Sequence, residues 1–159
     1  MPVPTSGGTR GADLRPDSLF YEVFVLGQAV KRLLETAMAN GPLRPEEYAV
    51  YSVVFEPESV TPTVMAAALA MPLTTVMDWI GLMERRGHAR RRPHPSDGRA
   101  TLVTLTAEGL RVHREANRRF EHAYRALLAA LPDDERLLRD AMVAIREATL
   151  RASVSLGGG

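Results

Sequence analysis

Between Arg85 and Arg99 the chain sets six arginines (85, 86, 90, 91, 92 and 99) against one acid, Asp97. Guanidinium groups at that density suit polyanions, because each offers a planar fork of donors that matches a phosphate. The whole chain carries a formal charge of only +1, so a basic finger stands on a mildly acidic body. That pattern points to nucleic acid before membrane. A solvated salt-bridge surface is the plainer reading of any charge run, but one aspartate leaves most of these arginines without a local partner. A turn sequence, His94-Pro95-Ser96-Asp97-Gly98-Arg99, lies inside the segment.

The other residues with chemical potential exclude more than they suggest. No cysteine is present, which rules out a disulfide framework, a thiolate metal site, a cysteine nucleophile and a thiol redox sensor. Of the four histidines, His113 and His122 fall on one expected helix about 13 Å apart with no partner one turn away, and His88 and His94 belong to a hairpin. No metal site is expected from them. There is no Gly-rich loop before a helix, no His-Glu-x-x-His helix and no glycine-flanked serine, so neither catalysis nor a cofactor is expected.

These residues need elements to hold them. At 159 residues, 45% hydrophobic and 25% charged, the chain fits one globular domain or two small lobes sharing helices. Residues 1–16 are rich in Pro, Gly, Ser and Thr and read as a disordered arm, neither signal peptide nor membrane span; 153–159 read as a flexible tail. No apolar run approaches the length that crosses a bilayer, and a soluble cytoplasmic protein is expected.

Asp17 and Ser18 are candidate caps for a long amphipathic helix with Leu19, Val23, Leu26, Val30, Leu33 and Ala37 on its stripe, ended by Asn40-Gly41-Pro42. A second helix starts at Pro45 with Glu46 and Glu47 in its first turn and presents Tyr48, Tyr51, Val54 and Phe55. Thr61-Pro62 opens a short third helix that stops near Met71-Pro72. The fourth follows at once through Thr74 and Thr75, with Val76, Trp79, Ile80 and Met83 on its apolar face and Gly87 after its end. Two short helices so joined read as helix-turn-helix. The period then changes: His88 to Arg92 and Ala100 to Leu105 suggest a two-stranded hairpin with Arg99 near its tip. Alternation sends Arg90 and Arg92 one way and Arg91 the other. Thr106 caps a helix carrying Leu110, Ala116, Phe120, Tyr124, Leu127 and Leu131, and Pro132-Asp133-Asp134-Glu135 starts a last one with Leu138, Ala141, Ile145 and Ala148 inward. The fold class is mainly α with a small β-hairpin.

Val60-Thr61-Pro62 through Leu105-Thr106-Ala107-Glu108-Gly109 resembles the winged helix-turn-helix of the multiple-antibiotic-resistance-regulator (MarR) family. The resemblance is carried by the Thr-Pro helix start, Val76 and Ile80, Glu84-Arg85-Arg86-Gly87, the wing Pro95-Ser96-Asp97-Gly98-Arg99, and Leu105-Thr106 with Gly109. It extends over 17–152, read as a single domain with dimerisation helices at 17–40 and 107–152 around a winged lobe at 44–106. What it implies is a DNA-binding transcriptional regulator, a dimeric repressor whose affinity for DNA a small-molecule effector modulates. The partners implied are a pseudo-palindromic double-stranded operator, a second copy of the chain and that effector. The implied DNA-contacting residues are Thr61, Thr63, Thr74, Thr75, Asp78, Arg85, Arg91 and Arg99, with Asp97 organising the wing. Tyr48 and Tyr51 lie where the family often builds an effector crevice, although two tyrosines on a helix stripe equally suit core packing. Where the family usually carries basic or polar residues this chain has Asp78 and Leu82, with Gly81 between. Asp78 is read either as an acceptor for a cytosine amine or as the mark of a degenerate reading helix that leaves binding to the wing or to no DNA at all; the alternative function is a protein-interaction dimer that keeps the fold and has lost specific DNA reading.

Overall fold

The computed structural model describes residues 18–157 apart from 133; the arm expected over 1–16 and the cap at Asp17 lie outside them. Helix α1 (Leu19–Met38) begins on Ser18, whose hydroxyl accepts the Tyr21 N–H at 3.2 Å. Helix α2 (Pro45–Phe55) has its proline in the first turn, and the Glu47 carboxylate reaches back to accept the Arg44 N–H at 2.9 Å. Helix α3 (Pro62–Leu69) is capped by Thr61, which accepts from the Val64 N–H at 3.3 Å, and it ends on Ala70 in the left-handed region. Helix α4 (Leu73–Arg85) buries Val76, Ile80 and Met83. Gly87 closes it at φ +71°, a conformation that costs other residues a Cβ clash. The Gly87 N–H donates to the Glu84 carbonyl and the His88 N–H to the Met83 carbonyl, both at 2.9 Å, the paired bonds that satisfy a helix end.

The hairpin follows. Strands β1 (Ala89–Pro93) and β2 (Thr101–Leu105) pair antiparallel, with Arg91 opposite Val103. One feature escaped the sequence reading: Val60 bridges Val103 through bonds of 3.1 and 2.8 Å, so the hairpin is anchored to the chain entering α3. Helices α5 (Ala107–Ala130) and α6 (Glu135–Gly157) complete the chain. The tail expected to be loose from 153 is helical as far as Gly157. The Ser153 hydroxyl donates to the Thr149 carbonyl, as the Thr149 hydroxyl one turn earlier does to the Ile145 carbonyl, both at 2.9 Å.

Contacts divide the chain into two compact units, one through Phe120 and one from Glu121. The first half of α5 therefore belongs with the winged lobe, whereas the sequence placed all of it with the terminal helices. Val112 and Ala116 of α5 join a core of Val50, Tyr51 and Val54 from α2, Met65 from α3, Val76, Ile80 and Met83 from α4, and Val103 and Leu105 from β2. In the second unit the Tyr124 hydroxyl and the Arg139 guanidinium both donate to Glu135. The apolar faces of the end helices are uncovered: α1 exposes Leu19, Phe20 and Phe24, and α6 exposes Leu137, Val154 and Leu156. Among the described residues no single helix is long and apolar enough to cross a membrane.

Where α4 ends, the chain is clamped to the start of α5. The Thr106 hydroxyl donates to the Gly87 carbonyl at 2.7 Å and accepts the Gly109 N–H at 3.1 Å, while the Thr106 N–H donates to the His88 carbonyl at 3.0 Å. The His88 carbonyl lies so close over Gly109 that any Cβ there would sit well inside van der Waals contact with backbone.

A polar chain runs beside this joint. Glu47, 5% exposed, takes the Arg86 guanidinium at 2.9 Å, and the Tyr51 hydroxyl bonds His88 Nδ1 at 2.8 Å. Burial, and then the nearby Arg86 charge, lowers the His88 pKa. His113 is stacked between Tyr48 and Phe55, with ring centroids at 5.2 and 4.2 Å, and its Nε2 meets the Ser52 hydroxyl at 3.1 Å. Burial lowers its pKa as well.

Two outcomes follow from this packing. Gly109→Ala is expected to destabilise the protein by about 1–3 kcal/mol in urea unfolding, toward the upper end because backbone must move. For the histidines, the unfolded chain binds protons more readily than the folded one. Stability is therefore full above their ordinary value of 6.5 and is lost as pH falls from there through the folded values. Urea midpoints should hold steady above that value and drop between it and about pH 5, above the usual carboxylate range; His113→Gln should reduce the drop.

Candidate nucleic-acid interface

The exposed face of α4 follows from what the core takes. With Val76, Ile80 and Met83 buried, helical spacing leaves Thr74, Asp78, Gly81 and Arg85 in one row and Leu73 with Met77 in the next. Thr74, Asp78 and Arg85 are exposed, and Thr75 is half-buried. Arg85 lies against Gly81, with a guanidinium nitrogen 3.3 Å from where a Cβ would stand. The glycine thus makes room for the only cation of that row. Pro72 precedes α4 and supplies no side-chain cap, so the first-turn N–H groups keep their donor capacity.

Helices α3 and α4 are bent 114° to one another, within the range of helix-turn-helix pairs. The left-handed Ala70 makes the turn, and its neighbour Met71 donates its N–H to the Ala66 carbonyl at 3.0 Å. This bend brings the start of α3, the start of α4 and the front of the hairpin around one open concavity of about 440 Å³. Thr61, Thr63, Arg91, Asp97 and Arg99 all line it, together with Leu73 and Met77. Five of the residues expected from the sequence are therefore gathered on one surface. Leu73, 47% exposed, and Met77, 38% exposed, were missed. Their four-residue spacing off the buried stripe was the available signal, and apolar groups there suit thymine methyls.

Three of the charged residues have definite partners. The Asp97 carboxylate accepts the Arg99 N–H at 3.0 Å, and the Asp97 carbonyl accepts the Ala100 N–H at 3.0 Å, so this aspartate closes the tip that carries Arg99. Arg91 pairs with Glu84 at 2.9 Å, which ties β1 to the end of α4. At a half-exposed site such a pair adds at most about 1 kcal/mol, so its value is in orientation. Arg86, counted in the basic finger, turns inward to Glu47. Thr61 spends its hydroxyl on the α3 cap, which leaves Thr63, exposed, as the freer hydroxyl.

The two tyrosines separate. Tyr51 is 1% exposed and its hydroxyl is taken by His88, so it is a core residue and not a crevice wall. Tyr48 is half-buried, donates to Asn117 Oδ1 at 2.6 Å and packs on Phe120. Trp79 is half-buried against the core, as its stripe position implied.

No protein-family model matches the chain, and no curated protein matches it. Solved structures do. The PcaV transcriptional regulator of Streptomyces coelicolor, in complex with its natural ligand, is similar at 26% identity and a TM-score of 0.74, over 88% of this chain and 99% of that one. A MarR-family regulator from Rhodococcus sp. RHA1 is 24% identical over 81% and 95% of the two chains, with a TM-score of 0.68. The M. tuberculosis regulator MOSR, in complex with DNA, is 19% identical over 84% and 98%, with a TM-score of 0.70. Nearly the whole length of each neighbour is spanned. Element order, wing register and these likenesses together make this chain a winged helix-turn-helix protein with the MarR-family fold.

Proposed function

We propose that the chain is a dimeric, DNA-binding transcriptional regulator that acts in the cytoplasm as a repressor and works by binding rather than catalysis. The observation that carries this is the single surface on which the 114° bend and the hairpin gather Thr63, Leu73, Met77, Arg91 and Arg99. A helix start with uncapped donors enters a major groove, and an arginine on a rigid tip reaches the neighbouring minor groove, where a narrow A·T tract concentrates negative potential. Thr74, Thr75 and Arg85 add contacts along α4, and Asp78 selects by accepting from a cytosine amine. Both solved MOSR, with DNA, and PcaV, with its ligand, support this reading.

Dimerisation is supported by the uncovered apolar residues of α1 and α6, since large exposed apolar faces mark partner surfaces. A second copy would set two α4 helices about 34 Å apart on a pseudo-palindromic site. An effector lowers affinity by favouring a spacing that mismatches the groove. Tyr48, half-buried between α2 and α5, remains the candidate for its crevice.

Selection from a random duplex pool followed by salt titration tests the DNA reading. Binding should weaken with salt at a log-log slope of about −0.9 per phosphate engaged; Arg99→Ala should flatten the slope by about one such unit, and Asp78→Arg should raise affinity while blurring selectivity. A pool that yields no preferred duplex at low salt would sink the regulator reading in favour of a protein-interaction dimer. In sedimentation the protein should run as a dimer, and Phe20→Glu with Phe24→Glu should leave folded monomers.

A further inference from the structure

The winged lobe buries its large apolar side chains with few exceptions. Among its described residues the exposed ones are Val64, Leu73 and Met77, at 55%, 47% and 38%. Leu73 and Met77 stand one turn apart on α4 and line the front concavity together. We propose that this pair reads the C5-methyl groups of pyrimidines in the major groove, and so tells thymine from uracil and 5-methylcytosine from cytosine. The inference rests on the DNA reading above and deepens it.

The lining of the concavity points to this kind of contact. Of the β1 and tip arginines, Arg91 and Arg99 bring positive charge to it, whereas Arg90 and Arg92 line the opposite side of the hairpin. A polyanion is therefore drawn to the surface by the wing. Leu73 and Met77 have no part in that attraction, because a phosphate gains nothing from an aliphatic side chain. On the base edges of the major groove the apolar group is the C5-methyl of thymine, and 5-methylcytosine carries one at the same ring position. Covering it with leucine or a thioether removes apolar surface from water on both partners.

Spacing and support favour a pair of such contacts. Four residues of helix rise about 6 Å, and successive bases on a strand rise about 3.4 Å. A helix lying along the groove thus sets the two side chains about two base steps apart. Both stand on a firm base, since Val76 and Ile80 on the inner side of the same helix are fully buried. Asp78, exposed in the neighbouring row, accepts from a cytosine amine, so 5-methylcytosine offers a group to each row.

Duplexes that the full-length protein selects from a random pool supply the test. Each pyrimidine is changed in turn at C5 alone, thymine to uracil and cytosine to 5-methylcytosine, which leaves base pairing intact. At two positions of a half-site, about two steps apart, loss of the methyl should weaken binding about fourfold, or its gain should tighten binding as much, the fold-change of one buried methylene. Weakening by uracil assigns thymine as the source of the methyl, and tightening in the other arm assigns 5-methylcytosine. Leu73→Ala and Met77→Ala should each abolish the effect at one of the two positions and keep it at the other, while Val64→Ala keeps both. An effect that persists in both α4 variants would belong to the stiffness of the DNA itself and would overturn the proposal. A pool that returns no preferred duplex sinks the regulator reading and this inference together; a preferred duplex indifferent to both changes sinks this inference alone.

Discussion

Everything that aims this molecule passes through the contact between the His88 carbonyl and the start of α5. Thr106 bonds the carbonyls of both Gly87 and His88, and Gly109 lets α5 approach until backbone rests on backbone. On one side of that joint α4 ends; on the other the hairpin begins. Because the His88 side chain is bonded in turn to Tyr51 of α2, three helices and the wing meet at a point with little freedom. A wing on a flexible stalk would lose orientation entropy each time it met a groove, and here that cost is met in folding.

The joint also explains how charge is distributed. Six arginines within fifteen positions look alike on paper, yet the structure divides them by direction. Arg86 pairs with the buried Glu47, Arg91 steadies the hairpin against α4 through Glu84, Arg85 settles beside Gly81, Arg99 rides on the tip that Asp97 closes, and Arg90 and Arg92 face the rear. Net charge of a segment measures attraction at long range; the share that reaches a partner's phosphates is set by side-chain direction.

Local signals in the sequence were reliable where the physics is local. Ser18, Thr61 and Gly87 act through bonds within a few residues, so the helices they bound could be read directly, and strict alternation sorted the arginines of β1. Contacts between distant positions were not legible. Nothing near Glu47 announces Arg86, nothing near Val60 announces its bridge to Val103, and nothing near Gly109 announces the His88 carbonyl that lies above it. The tail misled for a related reason, because Ser and Thr favour turns unless their hydroxyls find carbonyls one helical turn back. On the front concavity, Leu73 and Met77 are not legible from residue type, because an apolar residue on a helix is ordinarily core and only burial shows these two left outside.

Alternation in β1 has one more consequence. Arg91 faces front and its neighbours rear because the strand leaves Gly87 in fixed register, pinned by Thr106. Residues 93–100 lie beyond that pin, so the tip can lengthen or shorten without exchanging the two faces. Deleting one residue between Gly87 and Arg90 would exchange them at a stroke, sending Arg91 to the rear and its neighbours forward. Which face each β1 arginine takes is thus decided at the root of the wing, where Thr106 holds Gly87.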